Sequence, residues 1–467
     1  MAINFSKEQV INRLLFENPW WQSNKIDSFY SKMKRREYFR LIFPLITERK
    51  IKRALILMGP RRVGKTVLLF HSIEQLIENG VNPKNICYFS IETPLYNGIA
   101  LEELLNLFLK NNKKSTSEET YVYFDEIQYL KDWELHLKSL VDSYHNVKFI
   151  VSGSAAAALK LKSQESGAGR FTEFILPPLT FHEFLSLTEK EISIENVRNK
   201  EGLYKVKNID ELNEDFIKYI NFGGYPELSL SEAIQSNPER YIRNDIIDKV
   251  LMRDLPSLYG INDIQELNSL FTYIAYNSGN EMSLEGISKS SGVAKNTIKK
   301  YITYLEAAFL IKVIHRIDQN GKNFKRANFF KIYLTNPSLR SALFSPIKKD
   351  DEFMGNMVET AIFSQWQHSF EDSLFYARWN TGEVDLVYLN NKLKPDWCAE
   401  IKWSNRFAEN PNELKNLFSF CQKNNLSFSI ITTINIDKKV NIDNINYQFW
   451  PASQYCYSVG KNLIEGK

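Results

Sequence analysis

Two kinds of apolar pattern alternate along the first third of the chain. A-L-I-L-M (54–58), N-I-C-Y-F-S-I (85–91), Y-V-Y-F-D-E (121–126) and V-K-F-I-V-S-G-S (147–154) are short apolar runs that predict buried strands. Between them, V-L-L-F-H-S-I-E-Q-L-I after Lys65, L-E-E-L-L-N-L-F-L (101–109) and the stretch through Leu135, Leu137 and Leu140 predict amphipathic helices. Strands alternating with helices predict a parallel sheet covered on both faces, with its chemistry at the carboxyl ends of the strands. After Pro177-Pro178 the pattern turns helical to about residue 260. Residues 189–215 are charge-rich and poorly periodic, which predicts an exposed excursion.

The texture changes again at residues 266–335. Leu284, Ile287, Val293, Ile298, Ile302 and Leu305 line two short helices around a turn at Ser291-Gly292. F-L-I-K-V-I-H-R and F-F-K-I-Y-L-T follow as strands, joined by the basic hairpin D-Q-N-G-K-N-F-K-R. Two helices followed by strand, turn and strand predict a winged helix, which docks on DNA or on another protein surface. The charged P-I-K-K-D-D-E (346–352) predicts a boundary. Beyond it come an amphipathic helix (354–366) and strands at 375–379, 381–389 and 397–403. The fold expected is α/β multidomain: an N-terminal helical segment (1–35), a parallel-sheet core (36–185), a helical lid (186–260), a winged helix (261–345) and a C-terminal α/β domain (346–467).

Composition changes this picture little. With 43% hydrophobic and 13% aromatic residues, the chain has ample material for packed cores. The 59 basic and 55 acidic residues nearly balance, so local patches decide any nucleic-acid contact. Residues 1–53 hold twelve Lys or Arg against five acids, and Lys32, Lys34, Arg35 and Arg36 read as a phosphate-contacting cluster or as a solvated helix face. Trp20 and Trp21 read as core anchors. Cys87, Cys398, Cys421 and Cys456 lack metal-ligand spacing and fit buried thiols in a reducing compartment. Without a signal-peptide core or a membrane-length apolar run, a cytoplasmic location is expected.

The chemistry begins at G-P-R-R-V-G-K-T (59–66), the P-loop pattern set between a strand and a helix. Gly59 and Gly64 let the backbone of Gly59, Pro60, Arg61, Arg62, Val63, Gly64, Lys65, Thr66 and Val67 curl around a polyphosphate. Lys65 supplies charge to the outer phosphates, and the Thr66 hydroxyl suits Mg²⁺. Asp125 and Glu126, at the end of an apolar strand, suit the metal and the attacking water respectively. Together these motifs predict binding of a nucleoside triphosphate. Ser152 and Ser154 read as γ-phosphate sensors or as turn residues. Arg170, after a Gly-rich loop, reads as a finger to the γ-phosphate in cis or from a neighbouring subunit, the latter implying a homo-oligomer. The turn F-G-G-Y-P-E (222–227) either closes over the adenine or only connects helices.

A second candidate site lies late in the chain. Glu359 is on the helix after the boundary, Asp385 on one strand, and Glu400 with Lys402 on the next, facing one way by strand alternation. Two carboxylates suit Mg²⁺ or Mn²⁺, and the lysine suits a water attacking a phosphodiester. The alternative is a buried ion pair.

With these motifs assembled, the chain resembles a prokaryotic family of AAA-type P-loop ATPases fused to a winged helix and a nuclease-like domain. The matching segments are G-P-R-R-V-G-K-T, Y-F-D-E-I-Q, the G-S after the fourth strand, G-R-F-T-E-F-I-L-P-P-L-T-F-H-E-F-L, G-G-Y-P-E, R-D-L (253–255) and E-V-D…E-I-K. The resemblance implies Lys65 and Thr66 as nucleotide ligands, Asp125 and Glu126 as the hydrolytic pair, and Arg170 as the finger. It also implies a PD-(D/E)xK nuclease fold with Asp385, Glu400, Lys402 and the first-helix acid Glu359, although Val384 stands where the signature has proline. Two functions follow: a DNA-directed ATPase with a metal-dependent nuclease site, or a switch ATPase whose C-terminal domain is a non-catalytic binding module. No helicase motif set accompanies the P-loop.

Overall fold

Five parallel strands make the sheet of the first half: β1 (Ala54–Met58), β2 (Ile86–Ser90), β3 (Thr120–Asp125), β4 (Val147–Gly153) and β5 (Phe171–Ile175). Their order is β2–β3–β4–β1–β5, so β4 lies between the strands that carry the two motifs. The computed structural model describes residues 6–115, 117–154, 169–322, 328–366 and 373–466. It divides into two units, Met1–Leu176 and Pro177–Lys467.

In the first unit the four expected strands are present, with the expected helices at Lys65–Glu78, Leu101–Asn111 and Trp133–Ser143. Strands β1, β3 and β4 are buried along their whole length, as a sheet covered on both faces requires. The edge strand β5 escapes the sequence reading because Phe171, Thr172 and Glu173 stay partly exposed and no apolar run marks them.

At the opposite edge, no strand among the described residues pairs the outer backbone groups of β2. The N-terminal segment meets them with side chains. Asn18 accepts from the Tyr88 N–H (2.7 Å) and donates to its carbonyl (2.9 Å). Both indoles, Trp20 and Trp21, donate to the Ile86 carbonyl at 3.1 and 2.7 Å. The tryptophans are thus core anchors, as expected. Of the basic cluster, Arg36 is not a surface group: it is buried and donates to the Val63 carbonyl at 2.6 Å, bracing the P-loop.

The second unit opens with the helix Phe181–Leu187, and a hairpin follows, β6 (Ile194–Arg198) and β7 (Tyr204–Val206). This corrects the expected excursion at 189–215. Leu203 and Tyr204 are buried, and Ser458 and Gln454 of the C-terminal helix Ala452–Glu465 bond the Tyr204 backbone. Its charges hid a short strand pair from a periodicity reading.

Nine further strands form one mixed sheet: β8 (Glu281–Ser283), β9 (Ile311–Ile317), β10 (Phe329–Leu334), β11 (Leu374–Trp379), β12 (Gly382–Leu389), β13 (Pro395–Glu400), β14 (Phe428–Thr433), β15 (Lys438–Ile442) and β16 (Ile445–Pro451). The order is β15–β16–β14–β13–β12–β11–β9–β10–β8. The two helices expected at 282–305 are Leu284–Ser291 and Lys295–Ala307, turned at Gly292, whose φ of 74° suits glycine. The strands of that stretch do not stand apart from the C-terminal ones, because β9 pairs in parallel with β11. Residues 323–327 of the basic hairpin lie outside the described residues. The 346–352 segment is anchored at Ile347, which is buried and whose N–H donates to Asn221 (2.8 Å). Gly224 of the G-G-Y-P-E turn has a packing reason: a Cβ there would lie 2.5 Å from the Asn336 side chain.

All four cysteines are free and buried. Among the described residues, no helix is long and apolar enough to cross a membrane.

Candidate functional site

The loop between β1 and the helix Lys65–Glu78 is held by backbone geometry that only certain residues allow. Gly59 has φ 151°, and a Cβ there would meet the Leu176 carbonyl oxygen at 2.2 Å. Gly64 takes the left-handed conformation at φ 93° and caps the helix, turning its first N–H groups toward the loop. Lys65 is 4% exposed, and its ammonium donates to the Gly59 (3.1 Å) and Pro60 (2.8 Å) carbonyls, so it lies along the inside of the curl.

Strand order brings the second motif to the same end of the sheet. Thr66 Oγ1 donates to Asp125 Oδ2 at 2.8 Å, and Tyr88 OH donates to the same oxygen at 2.7 Å. Ser152 Oγ donates to Asp125 Oδ1 and accepts the Glu126 N–H at 3.2 Å. Burial, and then the neighbouring Glu126 charge, push the Asp125 carboxyl upward against these three donors. A buried carboxylate so placed is stabilised by a cation, and a hydroxyl beside a carboxylate oxygen suits Mg²⁺, which would supply charge to phosphate oxygens. The residues present therefore fit that ion. Gln128 Nε2 donates to the Glu126 carboxylate, fixing its direction, and Gln128 Oε1 accepts the Ser154 N–H at 3.2 Å. Among the described residues, Ser154 Oγ is buried with no hydrogen-bond partner. Sequence reasoning missed Tyr88, since a tyrosine in a buried apolar strand carries no signal of where its hydroxyl goes.

Arg170 is not brought to this loop. Its carbonyl accepts the Ala54 N–H at 3.0 Å, at the start of β1, whereas the P-loop leaves from the end of that strand. Its guanidinium pairs with Asp142 at 3.1 Å. Action in cis on its own nucleotide is thereby corrected: the length of β1 separates them. Residues 166–168 of the preceding Gly-rich loop lie outside the described residues.

In the second unit, Asp385 (β12) and Glu400 (end of β13) sit on adjacent antiparallel strands. Lys402 lies just past β13 rather than on it, pinned by Thr432, which accepts its N–H (2.6 Å) and donates to its carbonyl (2.8 Å). Lys402 nevertheless meets both acids, though the three do not form the metal-sized pocket expected with Glu359. Lys402 Nζ is 3.0 Å from Asp385 Oδ2 and 2.9 Å from Glu400 Oε1, and the Ile401 N–H donates to Asp385 Oδ2 at 2.9 Å. Glu359 joins through a residue that the sequence did not reveal. Lys331, from β10, places its ammonium 2.9 Å from Glu359, 2.8 Å from Glu383 and 3.7 Å from Asp385. Tyr333 on the same strand donates to Glu359.

Burial, and then the Asp385 charge, push the Glu400 carboxyl up to about 7. Burial also acts on Asp385, but Lys402 and Lys331 outweigh it and hold this carboxyl below its usual range. Lys402 is raised, its burial outweighed by Asp385 and Glu400, and so stays an ammonium. It suits charge stabilisation rather than proton abstraction, whereas a carboxyl near 7 suits proton transfer.

The fit to a divalent ion is one-sided. Among the described residues, Glu400 Oε2 is buried without a hydrogen-bond partner and so offers one acceptor to a cation, although Lys402 already stands between Asp385 and Glu400. On the Glu359–Glu383 side an ammonium already stands between the carboxylates. Among the described residues, no group of three acidic, histidine or cysteine side chains surrounds one metal-sized point.

Residues 51–185 match the family model of an AAA domain, and residues 213–351 match that of a domain of unknown function. An uncharacterised protein of Haemophilus influenzae is 25% identical over 382 residues, 81% of this chain and 88% of its own. One from Methanocaldococcus jannaschii is 26% identical over 369 residues, 76% of each chain. Among solved structures, the Orc1 protein of Aeropyrum pernix in complex with DNA aligns over 66% of this chain and 91% of its own, at 14% identity and a TM-score of 0.28.

Proposed function

We propose that this AAA-type P-loop ATPase uses ATP binding and hydrolysis to govern engagement of DNA, and that its second unit cuts phosphodiesters with one divalent ion. In this reading Thr66 and Asp125 hold Mg²⁺, Glu126 polarises the attacking water and Ser154 senses the γ-phosphate. Arg170 serves the nucleotide of a neighbouring subunit, since β1 keeps it from its own; this requires a homo-oligomer. Lys295, Asn296, Lys299 and Lys300, exposed on the helix Lys295–Ala307, meet DNA phosphates. The location remains cytoplasmic in this reading.

The observation that carries the cutting site is the meeting of Asp385, Glu400 and Lys402 within 3.0 Å. Asp385 and Glu400 hold the ion, Mg²⁺ or Mn²⁺. The Lys402 ammonium stabilises developing charge on the phosphate. Plasmid nicking tests it: wild type is expected to nick DNA with Mg²⁺ or Mn²⁺, and Lys402→Ala and Asp385→Asn are expected to lose at least a hundredfold. Equal activity of wild type and variants, or none from wild type on any DNA in any nucleotide state, removes the cutting site.

One observation favours a second reading. The acids are already bridged by Lys331 and Lys402, an arrangement that also suits a folded, non-catalytic module under a nucleotide-operated switch.

A further inference from the structure

We propose that the first unit carries an anion site at the amino ends of its strands, where Arg49, Lys52, Arg53 and Lys148 receive a phosphate dianion, free or as a terminal monoester. The site is independent of both sites described above.

An open depression lies where β1 and β4 begin. The segment before β1 lines it with Glu48, Arg49, Lys52 and Arg53, and the start of β4 with the turn before it adds His145 and Lys148. Four cationic side chains thus line one space against a single carboxylate, Glu48. The P-loop leaves from the other end of β1, five residues or roughly 15 Å along the strand. Open sheets of this kind take ligands at their carboxyl ends, so the fold alone gives no reason for the charge gathered here.

The cations are held in place. Lys148 is 8% exposed, and its ammonium donates to the Glu48 carbonyl at 3.0 Å. Arg49 lies 4.1 Å over the Tyr121 ring and donates to the Thr120 and Asn146 carbonyls, both at 3.1 Å. Lys52 donates to the His145 carbonyl at 2.8 Å. A carbonyl takes one proton and cancels no charge, and each ammonium has two further protons to give. Among the described residues, no carboxylate pairs with Lys52, Arg53 or Lys148, and Arg49 meets only the exposed Glu119, at 3.7 Å.

Burial, and then the Arg49 charge, push the Lys148 ammonium down to about 8; Lys52 adds to that push and Glu48 opposes it. An ammonium at that depth beside like charges is costly, and an anion relieves the cost. The lining also selects the anion. A carboxylate offers two oxygens and one charge to donors from four side chains, whereas a terminal phosphate group offers three oxygens and nearly two charges.

The test uses the full chain carrying Lys65→Ala, which removes the charge that the P-loop itself offers to phosphate. Inorganic phosphate is titrated by calorimetry and by thermal unfolding, against chloride at matched ionic strength. One saturable site is expected, with the melting temperature rising as phosphate fills it. Lys148→Met and Lys52→Ala are each expected to weaken binding about tenfold, since each removes a hydrogen bond from a charged donor. If Lys148→Met does not fold, Lys52→Ala and Arg53→Ala carry the comparison, both side chains being exposed. Displacement by an oligonucleotide with a terminal phosphate, but not by one without it, assigns the site to a terminal monoester; displacement by neither assigns it to free phosphate. Stabilisation that chloride matches, no saturable phosphate binding, equal affinity in parent and variants, or displacement by both oligonucleotides alike overturns the proposal.

Discussion

Asp125 accepts hydrogen bonds from three hydroxyls that arrive on three different elements: Thr66 from the P-loop helix, Tyr88 from β2 and Ser152 from β4. Such a carboxylate is aimed before any ligand comes. Tyr88→Phe removes one donor and no packing volume. A hydrogen bond to a charged group contributes about 1.5–3 kcal/mol, so the Mg²⁺ concentration for half-maximal ATP hydrolysis is expected to rise about tenfold or more, with kcat less affected. An unchanged Mg²⁺ requirement would reduce Tyr88 to a space-filler. Glu400 gives a pH signature. Its folded pKa, about 7, stands above the ordinary 4.5, so its contribution to stability is full below about pH 4.5 and is lost as pH rises toward 7. In chelator, the melting temperature of wild type is expected to fall between pH 5 and 7.5. Glu400→Gln should flatten that fall, and an equally steep profile in the variant would assign it to other groups.

Elements were legible where the backbone itself demands particular residues. G-P-R-R-V-G-K-T announces the loop because Gly59 has no room for a Cβ and Gly64 must adopt a positive φ. The buried strands announce themselves as unbroken apolar runs. Strand β5 and the β6–β7 hairpin do not, since one is a half-exposed edge and the other is short and charged. Of the late site, Asp385 and Glu400 were legible as carboxylates on strands, whereas Lys402 lies past the end of β13 and is placed by Thr432 rather than by strand alternation. Lys331 was not: it stands 28 residues before Glu359 and reaches the acids only because β9 pairs with β11, a long-range contact that no local pattern encodes. The pair of helices at 284–307 invites its own test. Replacing Lys295, Lys299 and Lys300 by alanine is expected to weaken DNA binding and lower the salt slope of log K by about three, as three lost phosphate contacts require. Affinity and slope like those of wild type would place DNA elsewhere.

For the whole molecule, the position of Arg170 decides how hydrolysis is organised. A residue at the start of β1's neighbour cannot serve the nucleotide at the end of β1, so it acts between subunits or not at all. Arg170→Ala and Lys65→Ala are each expected to be inactive alone. Mixed, they form interfaces that pair an intact P-loop with an intact arginine and recover part of the ATPase rate. No recovery in mixtures shown to co-assemble would rule out action between subunits.

The nine-stranded sheet has a consequence for how the second unit responds to a load. Strand β8 pairs Glu281 with Lys331 and Met282 with Phe330, and Ser283, its last residue, is already the cap of the helix Leu284–Ser291. No slack separates that helix pair from the backbone that holds the buried ammonium. Anything that grips and tilts the helices pulls directly on Lys331's strand partner, so grip and the spacing of the acids become one mechanical variable.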